Sequence, residues 1–301
     1  MTQSTRRNLR NGLLFVSPWL FGFLTLQVYP ILYSLRMSFT EYSGFGDMTD
    51  IGWQNFINLF KDDLFWKSAY NTLYYTVLAV PIGVVVAIVI ALAMNQKVKE
   101  VPVYRAILYL PSILPVFALS LVWVVFLNPK FGLLNRIANL AGIPTVDMLG
   151  DPTWTKFAIV LLAQLGAGGP ALIFLAGLRG VPTEMLESAQ IDGAGPFRRF
   201  FYITLPMITP VILYDIVLGL ALGLQIFTQA YILTSGAIGG QGMAGPRNSL
   251  LFYVFYLYKT AFQYTQMGYA SAMAWVLFIV SVILALSVFR WARTWVHYES
   301  E

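Results

Sequence analysis

Cysteine is absent from the 301 residues, and histidine occurs once, at His297. No disulfide framework, thiolate metal site or cysteine nucleophile can be built from such a chain. A single imidazole cannot supply a multi-histidine metal site, and serine-histidine catalysis would rest on that one residue. No catalytic or metal-binding set is therefore expected. Charge is scarce as well: 19 Lys and Arg with 14 Asp and Glu make up 11% of the chain, against roughly 25% in soluble globular domains. Apolar types make up 58%. A water-soluble fold of this composition would leave too much apolar surface exposed, and disorder is excluded by the same numbers.

What is present is a series of apolar runs long enough to cross a hydrocarbon core of about 30 Å. They cover about 13–35, 70–94, 106–127, 157–178, 205–233 and 267–289, each with at most one charged residue. The first run is too long for the h-region of a signal peptide and is read as a retained helix. The expected fold is thus an all-α membrane protein of six transmembrane helices in one domain, with no visible internal repeat.

Basic residues orient it. Segments 1–12, 95–105, 179–204 and 290–301 hold eleven Lys and Arg, and the longer segments 36–69, 128–156 and 234–266 hold eight. Positive charge concentrates on the cytoplasmic side, which places both termini inside. The net charge of +5 is then a product of topology, and no nucleic-acid partner is called for. Trp53, Phe56, Phe65, Trp66 and Trp154 fall in the outward segments, where aromatic rings suit the headgroup layer. Residues 248–262 are apolar but too short to span comfortably, and are expected as an interfacial or partly inserted outer helix.

The inward loop 182–204 has its own pattern. Thr183 is placed to cap a short helix with Glu184 and Glu187 in its first turns. Asp192-Gly193 then offers a turn, and Gly195-Pro196 stops a continuous helix. A second short helix at about 197–202 leads into the fifth span. On physics alone, an amphipathic interfacial helix would explain the loop equally well.

A resemblance goes further. Glu187-Ser188-Ala189, three residues, Gly193, nine residues, then Ile203-Thr204-Leu205-Pro206 resembles the EAA motif of binding-protein-dependent ABC importer permeases, departing only in Ser188. Segments 17–42, 53–76, 104–123 and 268–278 are similar to carbohydrate permeases, specifically to the first permease subunit of oligosaccharide importers such as the maltose transporter, in a shorter six-span form. The resemblance implies the ABC type I importer permease fold in a bacterial or archaeal cell membrane. It implies a second permease, two nucleotide-binding subunits that hold ATP and Mg, an extracellular binding protein and a sugar substrate. It further implies that Glu187, Ser188, Ala189, Asp192, Gly193 and Ala194 contact the ATPase through a coupling helix. The family's T-x-G-G-P stretch is interrupted here by residues 237–244, so no binding-protein contact carries over to that loop.

Polar groups inside spans usually face the bundle interior or a water-filled cavity. Projected at about 100° per residue, Asp215, Gly219, Leu222, Gln225 and Gln229 share one face of the fifth span, with Asp215 roughly 14 Å above Pro206 and so near the midplane. The stripe suits a substrate pathway, or polar contact with a neighbouring helix. In the fourth span, the run from Gln164 to Pro170 is expected to break the helix, which makes Gln164 and Gly168 cavity candidates or, alternatively, points of close packing. Pro111 and Pro115 are expected to kink the third span. Tyr214 and Phe227 are possible stacking rings, with packing or lipid contact as the plainer role.

Two other functions are weaker. A secondary transporter would need embedded ion ligands and usually repeats, and a membrane enzyme would need clustered carboxylates or imidazoles at one depth. The chain also lacks G-x-x-x-x-G-K-[ST], so ATP hydrolysis is expected in separate subunits.

Overall fold

The computed structural model describes residues 3–96, 98–237 and 244–297. Lys97, counted above as an inward charge, and most of the glycine-rich insertion at 237–244 lie outside the described residues. Among the described residues, four helices are long and apolar enough to cross a membrane: Arg7–Met37, Asp63–Met94, Pro152–Gly180 and Met267–Ala292. Two further pairs are sharply bent, and counting each as one span raises the number to as many as six.

Both bends follow from proline. Val101–Ile113 and Val116–Phe126 meet at 97°. Leu114 and Pro115 between them are extended, at φ/ψ of −68/138 and −55/133, because the ring of a proline pushes its preceding residue out of the helical region. The expected kink is therefore a full corner at Pro115, while Pro111 is absorbed inside its helix. Pro196–Met207 and Thr209–Leu224 meet at 65°, with Pro206 and Pro210 each in a first helical turn. The fifth run thus differs from the continuous helix expected over 205–233. It breaks at Ile208, ends a second time at Gln225 (φ −104, ψ 16), and resumes as Thr228–Ala237.

The chain divides into two compact units. One comprises Met1–Asp62 and Leu257–Ile279. In it Thr40–Glu41 pairs antiparallel with Thr49–Asp50. The buried Asn55 ties this turn down, its Nδ2 donating to the carbonyls of Ser38 (3.0 Å) and Thr40 (2.9 Å). Gly268 N donates to Tyr42 O at 3.1 Å, and a Cβ on Gly268 would collide with Thr40 O.

The other unit comprises Asp63–Tyr256 and Val280–Glu301. Its core runs along the Asp63–Met94 helix, where Val84, Ala87, Ile88, Ala91 and Met94 meet Ala171, Phe174, Leu175 and Leu178. Small residues bring the helices close: added Cβ atoms at Gly219 and Gly223 would lie 3.1 Å from Val80 and Thr76. Residues 248–256 depart from the expected interfacial helix, since Leu250, Leu251, Phe252, Tyr253, Phe255 and Tyr256 are all buried. Asn71 supplies the reason. Its Nδ2 donates to the carbonyls of Asn248 and Leu251 at 2.9 Å each, and Thr72 Oγ1 accepts from Tyr253 N at 2.8 Å. Irregular backbone is thereby satisfied inside the protein, the condition for its existence at membrane depth. Phe65 is likewise buried, against the Tyr253 ring at 5.7 Å, whereas Trp53, Trp66 and Trp154 remain exposed.

Candidate functional site

Two regions carry the residues singled out by sequence. The first is a cavity of about 430 Å³ walled by the Asp63–Met94 helix, the turn after Gln164, and the segment from Asp215 to Gln229. Asp215, Gly219, Leu222, Gln225 and Gln229 all line it, although the helix that was expected to align them is broken between Leu224 and Thr228. The break keeps the stripe together by turning Gln225 into a helix cap, where its Nε2 donates back to Ala221 O at 3.0 Å.

Gln164 lines the cavity too. The helix does not unwind at Gln164, as the run of glycines suggested. It tightens into one 3₁₀ turn, Leu165–Ala167, and continues as Gly168–Gly180. Gln164 Nε2 donates to Val160 O at 2.9 Å and reaches Ala79 O at 3.4 Å. Its buried Oε1 has no hydrogen-bond partner among the described residues. Gly168 sits elsewhere: it is buried, outside the cavity lining, and an added Cβ would strike Leu108 O and lie 3.1 Å from Tyr109 Cα. Its geometry is that of close packing. Phe227 is in the lining and Tyr214 is not.

Tyr75 lines the same cavity, buried and packed edge-on against Phe252 at 5.7 Å, and was missed. A signal existed, because Asn71, Thr72, Tyr75, Thr76 and Ala79 recur at three- and four-residue spacing on one face of an otherwise apolar span. Asp215 is half-buried and makes no hydrogen bond or ion pair among the described residues.

The second region is the loop. Its helix runs Thr183–Ile191 with Pro182 at the N-cap. Thr183 is thus the first helical residue and makes no side-chain cap, which corrects the expected capping role: the proline ahead of it already fixes the entry of the chain. At the other end Asp192 is the C-cap and Gly193 turns left-handed at φ +82. Ala194 N donates to Ala189 O (2.8 Å) and Gly193 N to Gln190 O (3.1 Å). This pair of bonds is the Schellman closure, and its left-handed position is the one glycine fills at least cost. Pro196–Arg199 and a π-helical turn, Phe200–Thr204, follow. Arg199 Nη1 donates to Gln190 Oε1 at 2.8 Å, bracing the two short helices.

Glu187, Ser188, Asp192 and Gly193 are exposed, and Ala189 and Ala194 half-exposed. Large apolar side chains join them at the surface, with Ile191 87% and Phe197 79% exposed. Exposed apolar groups beside small residues and a few charges make a surface suited to a protein partner.

A family model described as "Binding-protein-dependent transport system inner membrane component" matches residues 79–297. The chain is 38% identical to the probable ABC transporter permease protein YesP of Bacillus subtilis (strain 168), covering 100% of this chain and 96% of that one. It is 30% identical to the lactose transport system permease protein LacF of Rhizobium radiobacter, covering 97% and 99%. Among solved structures, a bacterial alginate ABC transporter in complex with its alginate pentasaccharide-bound periplasmic protein contains a chain similar at a TM-score of 0.81, with 24% identity and 96% of each chain covered. That last likeness concerns the fold.

Proposed function

The chain belongs to the family of binding-protein-dependent transport system inner membrane components, and on that premise we propose that it is one of two permease subunits forming the path of a sugar through an ATP-driven importer. It is a multi-pass membrane protein. The substrate class is a di- or oligosaccharide, or a sugar phosphate, handed over by an extracellular binding protein. The lactose-transport relative aligned over 97% of the chain supports this class. Both termini and the 182–204 loop face the cytoplasm, in keeping with the bias of Lys and Arg.

The loop carries the proposal. Glu187, Ser188, Ala189, Asp192, Gly193 and Ala194 form the contact with a nucleotide-binding subunit, which holds ATP and Mg. The Schellman turn at Gly193 presents small residues at a fixed angle, and Ile191 beside them supplies apolar area to bury. Movement of the ATPase then passes through Pro196–Met207 to the 65° bend at Ile208 and into the helix that walls the cavity. Thr209 ties that bend, its Oγ1 donating to Pro206 O (2.6 Å) and accepting from His297 N (3.0 Å). Gln164, Asp215, Gln225 and Gln229 offer hydrogen bonds to the passing sugar, and Gly168 holds the wall behind them.

Affinity purification of the chain from its native membrane tests the reading. Recovery of a second permease and an ATPase, with sugar uptake only in the complete assembly, is the expected result. Uptake by the isolated chain without ATP would overturn it.

A further inference from the structure

We propose that Asp215 makes this half of the pathway discriminate by charge, admitting neutral and amine-bearing saccharides and rejecting those that carry a carboxylate. The inference rests on the reading of the cavity as a sugar path. Among the residues lining it, Asp215 is the one Asp, Glu, Lys, Arg or His. The other polar groups there, including Gln164, Gln225, Gln229 and Thr228, are neutral.

The arrangement separates two kinds of recognition. An amide both donates and accepts, so glutamines tolerate hydroxyl and carboxylate alike, whereas an ionised carboxylate only accepts. A sugar hydroxyl can donate to it in a charge-assisted bond, and an ammonium adds attraction. A uronate brings a second negative charge with no proton to share, and two such groups close together in a partly desolvated space repel. In most proteins a carboxylate at this depth would be spoken for by a cation or several donors. Asp215 has neither among the described residues, and one turn away Gly219 adds no side chain above it. Its acceptor capacity is therefore directed into the cavity.

The competing role for Asp215 is an ion pair with the second permease, and one experiment separates the two. The complete transporter, purified in nanodiscs without its binding protein and held at pH 8, is exposed in turn to a gluco-disaccharide, its uronate counterpart and its 2-amino counterpart. Binding is read by saturation-transfer NMR. The expected result is uronate binding about tenfold weaker than the neutral sugar, a repulsion between that of a like-charge contact in bulk water and one at a protein surface. In Asp215→Asn the difference should shrink to about twofold or less, and in Asp215→Glu it should persist, because the charge and not the shape is at work. Equal binding of uronate and neutral sugar by the unaltered transporter would overturn the inference. So would discrimination that survives Asp215→Asn, as it would if the carboxylate served only subunit pairing. Binding of none of the three sugars would overturn the sugar reading of the cavity itself.

Discussion

The turn at Gly193 is closed by hydrogen bonds spanning three and five residues, while the cavity wall brings Gln164 to Ala79 across 85 residues, and the packing behind Tyr75 joins Asn71 to Leu251 across 180. The loop is exposed and owes its shape to its own backbone. The cavity is lined by residues from distant parts of the chain and owes its shape to packing. A substitution in the first should therefore alter docking and leave the fold standing. A substitution among the residues that build the second should be felt first in stability.

Asn71→Ala is the strongest way to test that difference. Asn71 is fully buried, and its removal strips the Leu251 carbonyl of its donor and leaves the Asn248 carbonyl with the bond from Leu251 N at 3.2 Å. An orphaned buried acceptor costs about 1–3 kcal/mol, so a loss of about that size is expected, read as a lower melting temperature of the purified complex. Docking to the ATPase should be kept in whatever fraction still folds. A variant as stable as the parent would show that the 248–256 segment is held by its aromatic packing and the Thr72 bond.

Gly193→Val comes next and inverts the pattern. No atom lies within 4 Å of a Cβ placed there, so no clash is involved. The cost is conformational, about 1–2 kcal/mol for a side chain in the left-handed region, and it falls on the turn that aims Ala194 and Ile191. Recovery of the ATPase in pull-downs should drop about tenfold, the factor that about 1.4 kcal/mol gives in an equilibrium, with little change in melting temperature. Equal losses of docking and stability would mean that the loop is part of the packed core after all.

The same contrast explains what was legible in the sequence. Glu187 to Pro206 could be recognised because everything that shapes it lies within a few residues: proline stops, a glycine where φ is positive, and fixed spacing between them. The polar stripe from Asp215 to Gln229 was found from helical periodicity, yet the helix is broken at Gln225. The residues converge because the break also faces the cavity, which periodicity does not encode. The burial of 248–256 was not legible, since its partners Asn71 and Thr72 lie about 180 residues earlier and the hydropathy of the segment is the same whether it meets lipid or protein. Tyr75 was hidden in the same way: an aromatic residue in a span reads as packing until its neighbours are known.

Gln225→Ala is the smallest of the expected effects and the one that sharpens the comparison most. Gln225 is exposed at the cavity, and its side chain's one hydrogen bond among the described residues, to Ala221 O at 3.0 Å, reaches back to its own helix. Losing that bond costs the fold little, because Ala221 is exposed at a helix end where the carbonyl can meet water. A hydrogen bond to a sugar hydroxyl is worth about 0.5–1.5 kcal/mol, so half-saturation for uptake should rise about two- to tenfold at unchanged ATPase recovery and unchanged melting temperature. Such a result would separate the residues that face the cavity from those that merely build it. If stability fell instead, the amide would be holding the break between Leu224 and Thr228, and the cavity's lining and its scaffold would be the same residues.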